Sequence, residues 1–172
     1  MGRNVVSIYG DWSDESKGQS VEGLYPVMVG CNMSFRTVAL RAVGGFDPYF
    51  RYHQDETDAC LRVLLSGHEI RFVQAASVRH EWCEGSYRKD RLKWYLKLRF
   101  MWGRNTSHLV SKNFHGKVTL GGYLVHQASL AVVKRAVSGP SSDIKTTNAA
   151  IPRALIWMGA FFEVYGALAG WR

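Results

Sequence analysis

The chain has 172 residues, which is enough for one domain with a buried core and hardly enough for two. Apolar residues make up 47% of it and charged residues 21%, the proportions of a globular protein and not of a disordered one. The net charge of +8 is uneven, because residues 1–86 carry −3 and residues 87–172 carry +11, so the second half favours a charged partner such as phosphate, anionic lipid or nucleic acid.

The first 80 residues predict short strands and two helices. The strand candidates are residues 4–9, 26–35 and 69–73, with a short extension at 77–80, and the helix candidates are residues 37–43 and 55–67. A polar loop is expected at residues 11–20, where Asp11 and Asp14 are interpreted as solvated turn residues and not as a metal pair. Gly30 and Asn32 indicate a bend or a close backbone approach beside a ligand.

The second half predicts three helices. They cover residues 86–102, 117–137 and 154–169, with a polar linker at 141–149 and Pro152 opening the last helix. The last helix is strongly apolar, but Glu163 and three glycines interrupt it, and a bilayer span needs ~20 apolar residues. We expect this helix to pack on its neighbours or to lie at a membrane surface.

Cysteine usage and the N-terminus bear on the compartment. The chain has three cysteines, an odd number, and no C-x-x-C pair; they are Cys31, Cys60 and Cys83. This argues against a disulfide scaffold or a zinc knuckle and fits a reducing compartment. Cys31 and Cys60 lie in apolar runs and are expected in the core. No secretory signal is visible, so we expect a cytoplasmic protein, with the inner face of a membrane as a further location.

Three acids cluster at the predicted start of the second helix. Asp55 is placed as an N-cap, and Glu56 and Asp58 would occupy the first turn, where the helix dipole favours negative charge. Such acids are routine capping residues on pattern alone. Their surroundings indicate a further role.

Five segments around these acids come in a fixed order. They read VGCNMSFR at 29–36, VGGFD at 43–47, DETDACLR at 55–62, GHEIRFV at 67–73 and VRHE at 78–81. This series resembles the C-terminal half of the catalytic domain of family 2 glycosyltransferases, the inverting GT-A type, over roughly residues 27–105. Each segment alone is a weak signal, and the order and spacing make the resemblance specific.

The resemblance implies both a fold and an activity. The fold would be α/β: residues 1–105 would form the acceptor-side half of a GT-A domain, a partial mixed sheet with flanking helices, and residues 106–172 would be helical. For this helical region the membrane surface is suggested by the apolar last helix. The activity would be transfer of a sugar, with inversion, from a nucleotide-sugar donor to a hydroxyl of a saccharide or lipid-linked acceptor, as in cell-wall or polysaccharide synthesis.

Inverting transfer needs one base that removes the proton of the attacking hydroxyl. The resemblance puts this catalytic base on Glu56, the second acid of an E-D-x-D-like motif, with Asp55 as the alternative. The family more often has Asp at this position, and Glu moves the carboxylate by about one methylene. Asn32, Arg36 and Asp58 are predicted on the acceptor side, although Asp58 has the alternative role of holding the loop.

The donor diphosphate would meet residues that come later in the chain. The resemblance assigns this contact to His80, Ser86, Arg91 and Arg104, and arginine suits phosphate through bidentate contact. In some relatives a histidine comparable to His80 completes a site for Mg²⁺ or Mn²⁺, whereas a lone histidine is more often structural. Lys89, Lys93 and Lys97 form a basic row that is either a solvated face or an anion-facing wall.

Two features of the family have no counterpart here. The chain has no D-x-D motif and no Gly-rich phosphate loop, and only 26 residues precede the resemblance. We therefore expect the donor-binding half to come from a missing N-terminal part or a partner subunit, and the isolated chain to have weak activity or none.

Two other functions remain open at this stage. The basic half favours a non-enzymatic peripheral membrane protein. A pI near 9.6 and aromatics such as Trp94, Tyr95 and Trp102 among basic residues suggest nucleic-acid binding, but no nucleic-acid motif is present and we expect no such partner. The sequence does not determine the donor sugar, its nucleotide or the acceptor.

Overall fold

The computed structural model describes residues 4–14, 24–73, 75–79, 91–137 and 153–171. This part of the chain is mixed α/β and mostly helical. It contains strands β1 (Asn4–Val6), β2 (Trp12–Asp14) and β3 (Tyr25–Val27), and helices α1 (Thr37–Ala42), α2 (Asp55–Leu65), α3 (Arg91–Asn113), α4 (Leu120–Val137) and α5 (Arg153–Gly170).

The three strands form one antiparallel sheet in the order β2-β1-β3. In its register Val6 lies opposite both Trp12 and Tyr25. The prediction of a strand at residues 4–9 is confirmed in a shorter form, whereas the loop predicted at 11–20 is wrong over β2. The GT-A sheet stays a prediction.

Of two other strand predictions, one is confirmed only at its first two residues and one is wrong. The strand expected at 26–35 ends at Val27, because the chain then turns, and in this turn the backbone N–H of Asn32 donates to the Val29 carbonyl at 2.9 Å. Residues 69–73 show no strand, since no described strand lies beside them to pair with their backbone. Alternation of apolar residues is therefore not enough to form a strand here.

The helix predictions are largely confirmed. Gly44, Gly45 and Gly67 follow α1 and α2 with φ of +83°, +74° and +88°, the left-handed backbone that glycine adopts without a Cβ clash. α3 continues to Asn113, well beyond the predicted end at Trp102. The linker at 141–149 and Pro152 lie outside the described residues.

The core lies where the sheet, α2 and α3 meet. Its members are Val6, Val27, Phe50, Cys60, Leu61, Leu109, Val110, Phe114, Val118, Tyr123 and Ala167. Cys60 is buried as predicted, but the prediction for Cys31 is wrong, because this residue lies exposed in the turn after β3. Cys83 lies outside the described residues.

α5 packs closely on α3, and the two helices run parallel. A Cβ at Gly159 would overlap the ring of Tyr95, and one at Gly166 would overlap the backbone of Phe100. Glycine at these positions lets the helix axes approach. Across the described residues, no helix combines the length and the apolar character that a bilayer crossing needs.

Candidate functional site

The backbone that leads into α2 is unusual. His53 and Gln54 both have positive φ, at 63° and 70°, which few residues other than glycine adopt. Gln54 is the N-cap and its side chain makes no capping bond, so the prediction of Asp55 as the N-cap is wrong. Asp55 is instead the first helical residue.

α3 holds this strained loop in place. The Gln54 amide donates from Nε2 to Thr106 Oγ1 at 3.1 Å, a bond between two buried side chains. Asn105 Nδ2 donates to the Tyr52 carbonyl and, at 3.1 Å, to the His53 carbonyl. Sparsely populated backbone conformations persist only where surrounding contacts fix them. Two buried polar residues of α3 therefore determine how the acids of α2 are presented.

Glu56 is the most perturbed acid of the described part of the chain. Burial raises the pKa of Glu56 to about 7, and the hydrogen bond and charge of the neighbouring Asp55 side chain act in the same direction. A hydrogen bond from the Gly30 backbone opposes this rise in pKa. A Cβ at Gly30 would lie 3.5 Å from Glu56 Oε1, so the turn after β3 covers the carboxyl closely.

His53 adds to this environment, and the sequence did not single it out. Burial lowers the pKa of His53, although the charge of Asp55 opposes the shift. The ring lies 5.2 Å from that of Trp102 and 4.1 Å from that of Tyr52, measured between centroids. A neutral imidazole adds no positive charge that would lower the pKa of Glu56. The sequence feature that could have pointed to His53 is its position two residues before Asp55.

Asp58 lies in the interior and is fully paired. Its side chain, 0% exposed, binds Arg62 Nε at 2.8 Å and Lys112 Nζ at 3.1 Å. It also accepts a hydrogen bond from Asn113 Nδ2 at 3.0 Å. Arg62 in turn donates to the carbonyls that follow α1, at Val43 and Gly45. Asp58 thus joins α2 to α3 and, through Arg62, to the loop after α1. This is the alternative role predicted for it, that of holding the loop, and its carboxylate is not exposed to an acceptor sugar.

The two other acceptor-side candidates lie on the surface. Asn32 is exposed and donates from Nδ2 to the Ala76 carbonyl at 2.8 Å, which ties the turn after β3 to the segment after α2. Two Cα–Cα steps of 3.8 Å place Asn32 within about 8 Å of Gly30, the residue that covers Glu56. Arg36 is exposed at the start of α1 and makes no capping bond there. Both stay predictions.

A shallow open groove lies on the α1 side of the molecule. Its lining residues are Met33, Ser34, Phe35, Thr37, Leu40, Arg41, Gly44, Gly45 and Phe46. The rings of Phe35 and Phe46 meet edge to face with centroids 5.9 Å apart. The chain enters this groove directly after Asn32, so the groove and the acid pair flank the same turn, but Asp55 and Glu56 do not line the groove.

Arg104 is the one donor-side candidate whose side chain the structure describes. Its Nε donates to Tyr49 Oη at 3.0 Å and its Nη2 to the Tyr49 carbonyl at 3.1 Å. The guanidinium also lies 4.2 Å from the centroid of the Tyr49 ring. These contacts give Arg104 a structural role in fixing the loop before α2. His80, Ser86 and the side chain of Arg91 lie outside the described residues.

The predicted divalent cation has no supporting geometry in the described residues. They contain no group of three histidine, cysteine or acidic side chains that could hold a metal ion. The predicted ligand, His80, lies outside the described residues, so the binding of Mg²⁺ or Mn²⁺ stays a prediction. Asp11, the other acid considered for a metal, contacts His126 Nε2 at 2.5 Å.

No protein-family model, curated protein or solved structure matches this chain.

Proposed function

We propose that this chain is the acceptor-side part of an inverting, family 2-like glycosyltransferase and that Glu56 is its general base. The observation that supports the proposal is the half-buried Glu56 carboxyl, whose pKa is raised to about 7 beside Asp55. A general base is most effective when its pKa lies near the working pH, and burial with a neighbouring carboxyl is a common way to reach that value. An ordinary surface glutamate would be a weaker base.

The reaction follows from one base. The ionised Glu56 carboxylate takes the proton of an acceptor hydroxyl while the oxygen attacks the anomeric carbon of the donor. The bond from that carbon to the diphosphate oxygen breaks, and its electron pair leaves with the nucleoside diphosphate. Attack opposite the leaving group inverts the anomeric centre. Asp55 makes Glu56 a stronger base, because its charge and its hydrogen bond from protonated Glu56 favour the form that has taken the proton, and Asp55 is the alternative base.

The donor side of the reaction is assigned to residues beyond those described. His80, Ser86 and Arg91 keep their predicted contact with the diphosphate, and a segment that carries a D-x-D motif would supply the nucleotide site. Arg104 contributes by positioning, because its bonds to Tyr49 fix the loop that leads to the acids.

The test is a sugar-transfer assay of the chain alone and of the chain combined with a donor-binding segment. We expect transfer only in the combination, and we expect Glu56→Gln to reduce it by about 10²-fold or more, the contribution typical of a general base. The matched control is Glu69→Gln, since Glu69 is 73% exposed and pairs only with Arg71 among described contacts. Full activity of Glu56→Gln would exclude Glu56 as the base, and rapid turnover by the lone chain would contradict the need for a second half.

A further inference from the structure

One face of α5 is apolar and exposed to solvent. Its members, named here the α5 stripe, are Met158, Phe161, Val164, Tyr165 and Leu168, with exposed fractions of 42, 67, 44, 57 and 50%. At 100° per residue these five positions fall within about a third of the helix circumference. A contiguous apolar patch of this kind on a protein surface marks an interaction site.

The opposite face of α5 is already occupied. Gly159, Gly166 and Gly170 lie against α3, and a Cβ at each position would overlap atoms of that helix. Glu163 also faces α3, where it pairs with Arg99 at 3.0 Å. α5 therefore has one face packed on protein and one apolar face directed outward, the arrangement of a helix that lies flat on its partner surface.

Basic residues border the α5 stripe. The ring of Phe100 on α3 lies 5.7 Å from that of Tyr165, measured between centroids, so this side of α3 adjoins the stripe. Lys93 and Lys97 precede Phe100 by seven and three residues, which places them on the same side of α3, and both are exposed. α3 and α5 contain one acid, Glu163, and it pairs with Arg99 on the packed face of α5.

We propose that the α5 stripe and the adjoining lysines of α3 bind the surface of an anionic lipid bilayer. Phe161, Tyr165 and Leu168 would enter the boundary between headgroups and acyl chains, while Lys93 and Lys97 contact anionic headgroups. Charge favours this occupant over a second copy of the chain, because pairing two stripes would bring like-charged lysines together. The proposal does not depend on the proposed sugar transfer.

The experiment is co-sedimentation of the full chain with vesicles of phosphatidylcholine alone or mixed with phosphatidylglycerol. We expect binding to the mixed vesicles that weakens as salt rises from about 0.1 M to about 0.5 M, because the ions screen the lysines. Phe161→Asp combined with Leu168→Asp should weaken binding about tenfold or more, and Lys93→Glu with Lys97→Glu should remove the preference for anionic lipid.

The matched control is Val38→Asp, which makes the same kind of change at an α1 residue that is 81% exposed. It should leave vesicle binding unchanged, and far-UV circular dichroism of all variants should match the wild type. Any of three results would overturn the proposal. The first is no binding to anionic vesicles, and the second is an equal loss of binding in Val38→Asp. The third is a wild-type chain that does not bind vesicles and forms, in light scattering, a dimer that the α5 substitutions dissociate.

Discussion

Replacing Glu56 by Gln should stabilise the protein at alkaline pH. The carboxyl has a pKa raised from 4.5 to about 7 in the folded chain. Each pKa unit is worth about 1.36 kcal/mol, and because the carboxyl is only half-buried, solvent screening reduces the effect to about 1–3 kcal/mol of unfolding free energy. Below the unfolded pKa both states are protonated and this contribution is fully present. As pH rises through the folded pKa it is lost, because the folded chain must then hold a half-buried charge.

The assay is urea unfolding of wild type and Glu56→Gln, followed by circular dichroism at about pH 5 and about pH 8. We expect the variant to exceed the wild type by about 1–3 kcal/mol at the higher pH and by little at the lower pH. The exposed Glu69 provides the control, since Glu69→Gln should change the free energy of unfolding by less than about 0.5 kcal/mol. Equal pH profiles for wild type and Glu56→Gln would show that folding does not raise the pKa of this carboxyl.

Contacts of α3 with α2, with α5 and with the loop before α2 hold the site in place. Asp58→Asn should lower the free energy of unfolding by about 3 kcal/mol, because Arg62 and Lys112 lose a buried partner, and urea unfolding measures this loss. Gly166→Ala should lower the free energy of unfolding by about 1–3 kcal/mol, because the alanine methyl would overlap the backbone of α3. Gly121→Ala should raise it, by about 1 kcal/mol at most, because the space around Gly121 in α4 is open. Thermal unfolding of the two variants measures the difference. Asn105→Ala should cost about 1–3 kcal/mol and speed hydrogen exchange of the backbone before α2, since two carbonyls lose their donor.

The sequence predicted those elements whose signals are local. α1 and α2 carry apolar residues at helical spacing and end before glycines, and each was placed to within a residue or two. α5 was found in the same way. The sequence predicts that α5 packs on a neighbour but not that this neighbour is α3, because the close contact of Gly166 with Phe100 joins residues far apart in the chain.

The predictions that were wrong depended on distant partners. β2 forms because Trp12–Asp14 lies beside β1, which no property of its polar sequence indicates. Residues 69–73 alternate as a strand does but have no neighbour among the described strands. Gln54, and not Asp55, occupies the N-cap position of α2, and its side chain donates to Thr106, 52 residues further on, and does not cap the helix. The acids of the candidate site were visible in the sequence, whereas their presentation depends on α3.

Glu56 can act as a base near neutral pH only if its carboxyl ionises there. NMR titration of the protein with ¹³C-labelled glutamate carboxyl groups follows this ionisation, and the resonance absent from Glu56→Gln identifies the side chain. We expect that resonance to titrate with a midpoint near pH 7. A midpoint near 4.5, the ordinary glutamate value, would remove the ground for assigning Glu56 as the base.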